Sequence, residues 1–156
     1  MLALDTTPGG MGANAYCTLE QAEAYMASLA FGEDWGKADD AKKTAALIQA
    51  ARWMGTLNWV GTRATQEQAL AWPRRGVVDR DGFDVAEDAI PTAVADANAE
   101  FAFRLLGKDR AADGKRGVQL GSLRTYDKSR MLTPASVIDL LKGLVIPTGS
   151  IPMARG

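Results

Sequence analysis

Residues 40–58 constrain the fold more than any other stretch, because their apolar side chains recur at helical spacing on two adjacent faces. One face carries Leu47, Ile48, Ala51 and Met54, and the other carries Ala46, Ala50, Trp53 and Leu57. A helix with so wide an apolar surface needs neighbours on more than one side. We therefore expect a central helix that begins at Asp39 or Asp40 and runs to about Asn58.

A shorter helix is predicted before it. Thr18, followed three residues later by Gln21, has the spacing of a capping box, in which each side chain bonds to the backbone of the other residue. The helix should reach about Ala30, where turn-forming residues begin.

Two more helices follow the central one. Pro91 suits a first helical turn and Gly107 a helix end, and apolar residues recur between them. Glu100 and Arg104 have the spacing of a helical ion pair and should lie on the solvent-facing side. A last helix opens at residues 133–134.

The remaining stretches complete the predicted architecture. Residues 59–90 lack periodicity and should form a long ordered loop, while residues 118–127 have the pattern of a small hairpin. We predict a mainly α fold: a four-helix bundle with this loop, the small β-hairpin and an extended C-terminal arm. Its organisation would be a flexible leader over 1–15, a helical domain over 16–145 and the arm over 146–156.

Composition excludes several classes of function. The chain has no histidine and a single cysteine, Cys17, so the common nucleophile pairs and thiolate metal clusters are absent. No apolar run approaches the roughly 20 residues of a membrane span. The net charge is −1, from 18 basic and 19 acidic residues, which gives no overall attraction to nucleic acid. We expect no enzyme activity and no membrane partner.

Two ligand motifs fail when their full spacing is tested. "DRDGFD" begins like a calcium-binding loop, but Asp84 and Ile90 stand where that loop needs Gly and Glu. Gly10, Gly12 and Ala15 match a dinucleotide fingerprint without the strand that must precede it. No metal and no cofactor are therefore expected.

The stretch "ALAWPRRGVVDRDG", residues 69–82, is the most distinctive part of the loop. We interpret Trp72 and Pro73 as an anchor that pins the loop to the helical core. Arginines and aspartates follow the anchor and could pair within the chain or across a subunit interface. The residues assigned to that interface are Arg74, Arg75, Asp79 and Asp81.

A nucleic-acid surface is the alternative for the same region. Single-strand binders combine aromatic stacking platforms with a basic groove. The residues that could form one are Trp53, Trp59, Trp72, Arg52, Arg63, Arg74 and Arg75. The net charge favours the other interpretation, in which the tryptophans are core residues and the loop is anchored against Trp53.

The C-terminal stretch "IPTGSIPMARG" has no helical pattern and carries apolar residues near its end. Such an arm suits docking on another chain, and disorder is the alternative. The residues assigned to docking are Ile151, Pro152, Met153 and Arg155.

Five stretches together resemble one family of small tailed-phage proteins. They are "ANAYCTLEQAEAYMA", "AALIQAARWM", "QALAWPRRGVVDRDG", "IPTAVADANAEFAFRLL" and "IPMARG", which span roughly residues 13–156. The chain resembles head–tail connector, or adaptor, proteins, whose members are often labelled DnaT-like single-stranded-DNA-binding proteins.

The two labels imply different functions. A connector would form a ring of about twelve copies beneath the portal protein, with double-stranded DNA passing through unread and tail-completion proteins as further partners. It would be made in the host cytoplasm and end in the virion. A DnaT-like protein would instead bind single-stranded DNA during replication. The near-neutral charge and the missing catalytic set favour the connector, and single-strand binding is kept as the alternative.

Overall fold

The computed structural model describes residues 3–111 and 133–146 of the chain. Over these ranges the fold is mainly helical, with four α-helices and one small antiparallel sheet. The elements are α1 (Leu19–Ala27), a 3-10 helix (Glu33–Lys37), α2 (Asp40–Met54), β1 (Thr62–Arg63), β2 (Arg74–Arg75), α3 (Thr92–Ala111) and α4 (Ala135–Leu140). Within the described ranges, no helix combines the length and the apolar character needed to cross a membrane.

The first two helices begin where the sequence predicts. The Thr18 hydroxyl accepts the Gln21 N–H at 3.1 Å and the Gln21 side chain accepts the Thr18 N–H at 2.8 Å, which confirms the capping box. The Asp39 carboxylate caps α2. Both helices end earlier than expected, at Ala27 and Met54, because fraying ends carry little sequence signal.

The centre of the fold is α3 rather than α2, which corrects our expectation. Helix α3 packs against α1, α2 and α4. Among the described elements, α3 is the main neighbour of α2. The buried core residues outside helices include Tyr16, Trp59, Trp72 and Val77.

Helix α3 also runs past Gly107 to Ala111, although Gly107 was expected to end it. A single glycine inside a helix costs about 1 kcal/mol relative to alanine, which is too little to stop a helix that packs well on three sides.

Asn98 lies at the centre of this core and joins three segments. Its side-chain oxygen accepts the Tyr16 N–H at 2.8 Å, and its side-chain nitrogen donates to the Leu47 carbonyl at 3.0 Å. The Cys17 thiol contacts the same oxygen at 3.9 Å. The buried amide thus satisfies the Tyr16 N–H, which lies outside the helices, and gives a carbonyl of α2 an additional partner.

The predicted Glu100–Arg104 ion pair is confirmed at 2.8 Å, but Glu100 is only 4% exposed and does not face solvent as expected. The Tyr25 hydroxyl donates to one carboxylate oxygen and the Ser136 hydroxyl to the other, each at 2.9 Å. Helix α4, which supplies Ser136, covers this side of α3.

Residues 3–15 lie against the loop and are joined to it. Asp5 and Asn14 exchange two hydrogen bonds of 2.8 Å, and the Ala69 N–H donates to the Gly10 carbonyl at 3.1 Å. The boundary between a leader and a domain at residue 15 stays a prediction.

Two predicted features cannot be compared with the structure, and a small sheet occurs at a place where none was predicted. The hairpin expected at residues 118–127 and most of the arm lie outside the described residues. The small sheet that the structure does show joins two points of the long loop, residues 62–63 and 74–75. The regular bundle and the extended arm stay predictions.

Candidate nucleic-acid interface

Trp72 holds the distinctive stretch against the core. Its side chain is 1% exposed and meets the ring of Trp59 edge to face, with 5.5 Å between ring centroids. Pro73 is buried beside it, and the Trp72–Pro73 peptide bond is cis. The contact is with Trp59 and not with Trp53, which was the expected partner and instead packs edge to face on Phe101.

Gln68 organises the loop before this point. The side-chain oxygen of Gln68 accepts the Thr65 N–H at 2.9 Å, and its side-chain nitrogen donates to the carbonyls of Leu70 and Pro73 at 2.9 Å each. Because Gln68 is buried, these bonds replace the regular pairing that an irregular loop lacks.

Arg74 fixes the loop after the anchor. Its guanidinium donates to the carbonyls of Val60, Ala71 and Gly61 at 2.7, 3.1 and 2.8 Å. Partial burial lowers the pKa of Arg74, and the charge of Arg63 acts in the same direction. The group remains a cation, because arginine pKa values lie far above neutrality. Carbonyl partners satisfy its donors without neutralising its charge.

The small sheet brings further positive charge to the same place. Arg63 pairs with Arg74 and Thr62 pairs with Arg75 across the two strands. Like charges directly opposite each other destabilise a sheet. Here Arg63 turns a guanidinium nitrogen to the Gln68 carbonyl at 3.3 Å, while Arg75 is exposed. The arrangement leaves a local excess of positive charge.

A cleft of about 960 Å³ opens beside this sheet, and we call it the arginine cleft. Its charged lining consists of Arg52, Arg63 and Arg74, and no described carboxylate lines it. Arg52 comes from the last turn of α2, whereas the other two come from the paired strands. Apolar side chains, including Leu57 and Ile146, line it beside these arginines.

The aspartates expected to pair with Arg74 and Arg75 do something else. The Asp79 carboxylate accepts the N–H groups of Asp81 and Phe83 at 2.9 Å each, which closes a tight turn around Gly82. Among the described residues, neither aspartate forms an ion pair with either arginine. Pairing within the chain is thus wrong, because the carboxylate of Asp79 is used by its own turn. The subunit-interface role of these residues stays a prediction.

The tryptophans do not form an open stacking platform. Trp59 lines the cleft but is buried, and its indole N–H donates to the Met54 carbonyl at 2.9 Å. Trp72 is buried and Trp53 is half-buried. Any nucleic acid in the cleft would therefore meet arginines and aliphatic side chains first.

The segment that follows α4 completes the cleft wall. The Val60 N–H donates to the Leu144 carbonyl at 3.1 Å, and the Ile146 N–H donates to the Asn58 carbonyl at 2.7 Å. Ile146 was assigned to the extended arm, yet it lines the arginine cleft. The four arm residues assigned to docking, Ile151, Pro152, Met153 and Arg155, lie outside the described residues.

Sequence reasoning did not single out Gln68 or Ile146. In sequence, a glutamine in a polar loop looks like any solvated residue. The structure shows instead that Gln68 is buried and binds four backbone and side-chain groups. The pairing of Ile146 with Asn58 joins distant parts of the chain and leaves no local pattern.

Comparison with known proteins corrects the functional expectation. A family model described as "Putative DnaT-like ssDNA binding protein" matches residues 1–156. The head–tail connector function is therefore wrong, and the match supports the alternative. The ring beneath the portal belonged to that function and is corrected with it, whereas the portal and tail partners and the virion location stay untested predictions. No curated protein and no solved structure matches the chain. Because the family model spans the whole sequence, the chain belongs to the family described as "Putative DnaT-like ssDNA binding protein".

Proposed function

We propose that this protein binds single-stranded DNA in the arginine cleft. One observation carries the proposal: Arg52, Arg63 and Arg74 line a cleft to which the described chain contributes no carboxylate. The family description names the same ligand class. A phosphate in the cleft would meet positive charge without displacing an acidic partner.

The overall charge of −1 does not oppose this role, because affinity for a strand depends on local charge. At physiological salt, charges more than about 8 Å away are screened. Phosphates would therefore respond to the cleft arginines more than to acidic residues elsewhere on the surface.

The three arginines contribute in different ways. Arg52 and Arg63 are exposed, and Arg63 has a single long bond, of 3.3 Å, to the Gln68 carbonyl, so both side chains can reorient towards a phosphate. Arg74 is held by three carbonyls, so its charge is fixed in place before any ligand arrives. A fixed charge loses little side-chain entropy on binding, which makes it more effective per contact.

Fluorescence anisotropy of a labelled thymine oligonucleotide, at low and at physiological salt, tests the proposal. We expect binding that weakens as salt rises, because phosphate contacts release counterions. Arg63→Ala should lower the affinity several-fold and reduce the log–log salt slope by about 0.7, the value for one phosphate contact on a single strand.

Lys42→Ala is the matched control. Lys42 is an exposed cation in the first turn of α2, and Arg52 lies in the last turn of the same helix, about 15 Å away along the axis. The control removes the same charge and should leave the affinity unchanged. Absence of binding at low salt, or equal losses in both variants, would overturn the assignment of the cleft.

A further inference from the structure

The arginine cleft has an apolar part as well as a charged one. Ile146 is 50% exposed although it is a large aliphatic residue, and it lines the cleft together with Leu57, Ile48 and Leu70. Exposed aliphatic surface is hydrated unfavourably, so a patch of it often marks a binding site. Beside a cluster of cations, it suits a ligand that has both a negative charge and a flat apolar part.

Ile146 is held firmly in this position. Its N–H donates to the Asn58 carbonyl at 2.7 Å, and the neighbouring Val145 forms a bridge with Trp59. Trp59 is itself fixed by Trp72 and by its bond to Met54. The Ile146 side chain is thus presented from paired backbone, not from a free end.

Asn58 adds a polar group next to the apolar surface. Its backbone carbonyl is used by Ile146, and its exposed side chain lies in the cleft lining. A side-chain amide offers both donors and an acceptor, which is the pattern that matches the edge of a nucleobase.

We infer that Ile146, Leu57 and Asn58 form a nucleobase subsite, in which a base of the bound strand lies on the aliphatic surface and the amide reaches its edge. The inference rests on the proposed function and goes beyond it, since the arginines alone would hold any phosphate chain. A base can lie there only when it is unstacked, so the subsite favours single strands over duplex.

Two ligands separate the subsite from the phosphate contacts: a thymine oligonucleotide and an abasic oligonucleotide of the same length, which keeps the phosphates and lacks the bases. We expect the wild-type protein to bind the thymine strand more tightly. Ile146→Ala should weaken thymine binding roughly fourfold, because contact equivalent to about one buried methylene is lost. It should leave abasic binding unchanged, which also shows that the variant is folded.

Val78→Ala is the matched control, because Val78 is 49% exposed and does not belong to the described lining of the cleft. It should change neither affinity. If the wild-type protein binds both oligonucleotides equally, or if Ile146→Ala weakens both alike, the base subsite is wrong while the proposed function stands. If the wild-type protein binds neither, both fail.

Discussion

The helical core and the loop of residues 59–90 are stabilised in different ways. In the core, backbone groups bond along the helices, and buried apolar side chains such as Phe101 and Leu47 supply the contact area. The loop has only two short strands, and two side chains, Gln68 and Arg74, bind several of its backbone carbonyls.

This difference indicates which region of the fold can present charged groups to a ligand. A helix whose backbone N–H and carbonyl groups bond to one another offers few backbone polar groups to a ligand. A loop fixed by Gln68 and Arg74 stays ordered while it keeps a charged group at the surface. The arginine cleft therefore lies in a region whose local order depends on a few side chains. Substitutions in the core and in the loop should have different effects on stability.

The largest effect is expected from Phe101→Ala in the core. Phe101 is 1% exposed and contacts Trp53, so truncation should lower the free energy of unfolding by about 4 kcal/mol. Urea denaturation measures the change. Phe31→Ala, at a residue that is 80% exposed, should shift it by less than about 0.5 kcal/mol. Equal shifts in the two variants would contradict this assignment of the core.

A smaller and more local effect is expected from Gln68→Glu. The change keeps the size of the side chain but removes both N–H groups that bind the carbonyls of Leu70 and Pro73. We expect a cost of about 2 kcal/mol, which corresponds to roughly 30-fold faster hydrogen exchange at the Ala64 N–H.

The exchange rates of amides in α3 should not change in this variant, and Gln66→Glu, at an exposed neighbour, should leave the Ala64 rate as it is. Faster exchange throughout α3 would show that the loop and the core open as one cooperative unit, and would remove the distinction between them.

The smallest effect on stability is expected from a change of pH. It arises in the core, where the buried Cys17 thiol titrates at a higher pH than in the unfolded chain. Burial raises the pKa of the Cys17 thiol from 9.0 to about 12, and the charge of Asp96 acts in the same direction. The unfolded chain therefore loses this proton first as pH rises, so stability is complete below about pH 9 and falls above it. At about pH 10 the loss should be about 1.4 kcal/mol.

Urea midpoints at about pH 8 and about pH 10 measure this loss, and Cys17→Ala should remove most of it. Burial raises the pKa of Tyr16 from 10.0 to about 12, so Tyr16 adds a smaller loss at about pH 10 and a larger one above it. A slope that persists in Cys17→Ala would place the titrating group elsewhere.

The sequence predicted those features that depend on neighbouring residues. The capping box of Thr18 and Gln21 and the ion pair of Glu100 and Arg104 are both local, and both were found. The burial of Glu100 was missed because Ser136 and Tyr25, which complete its hydrogen bonds, come from distant helices.

In the candidate site, the arginines were identified from sequence but their partners were not. Asp79 and Asp81 stand close to Arg74 along the chain, which favoured ion pairs. The actual partners are backbone carbonyls, and a carbonyl has no signature in a sequence. The cleft itself depends on the hydrogen bond between Ile146 and Asn58, which joins distant parts of the chain. No periodicity in the sequence predicts this contact.

This return of the chain has a consequence for synthesis. Residues 58–60 leave the ribosome well before residues 144–146, with which they pair. Roughly 90 residues separate the two segments, and at elongation rates of about 5–20 residues per second this delay is on the order of ten seconds. A nascent chain therefore carries its arginines for seconds without a complete cleft, and acquires the cleft only after residues 144–146 have been synthesised.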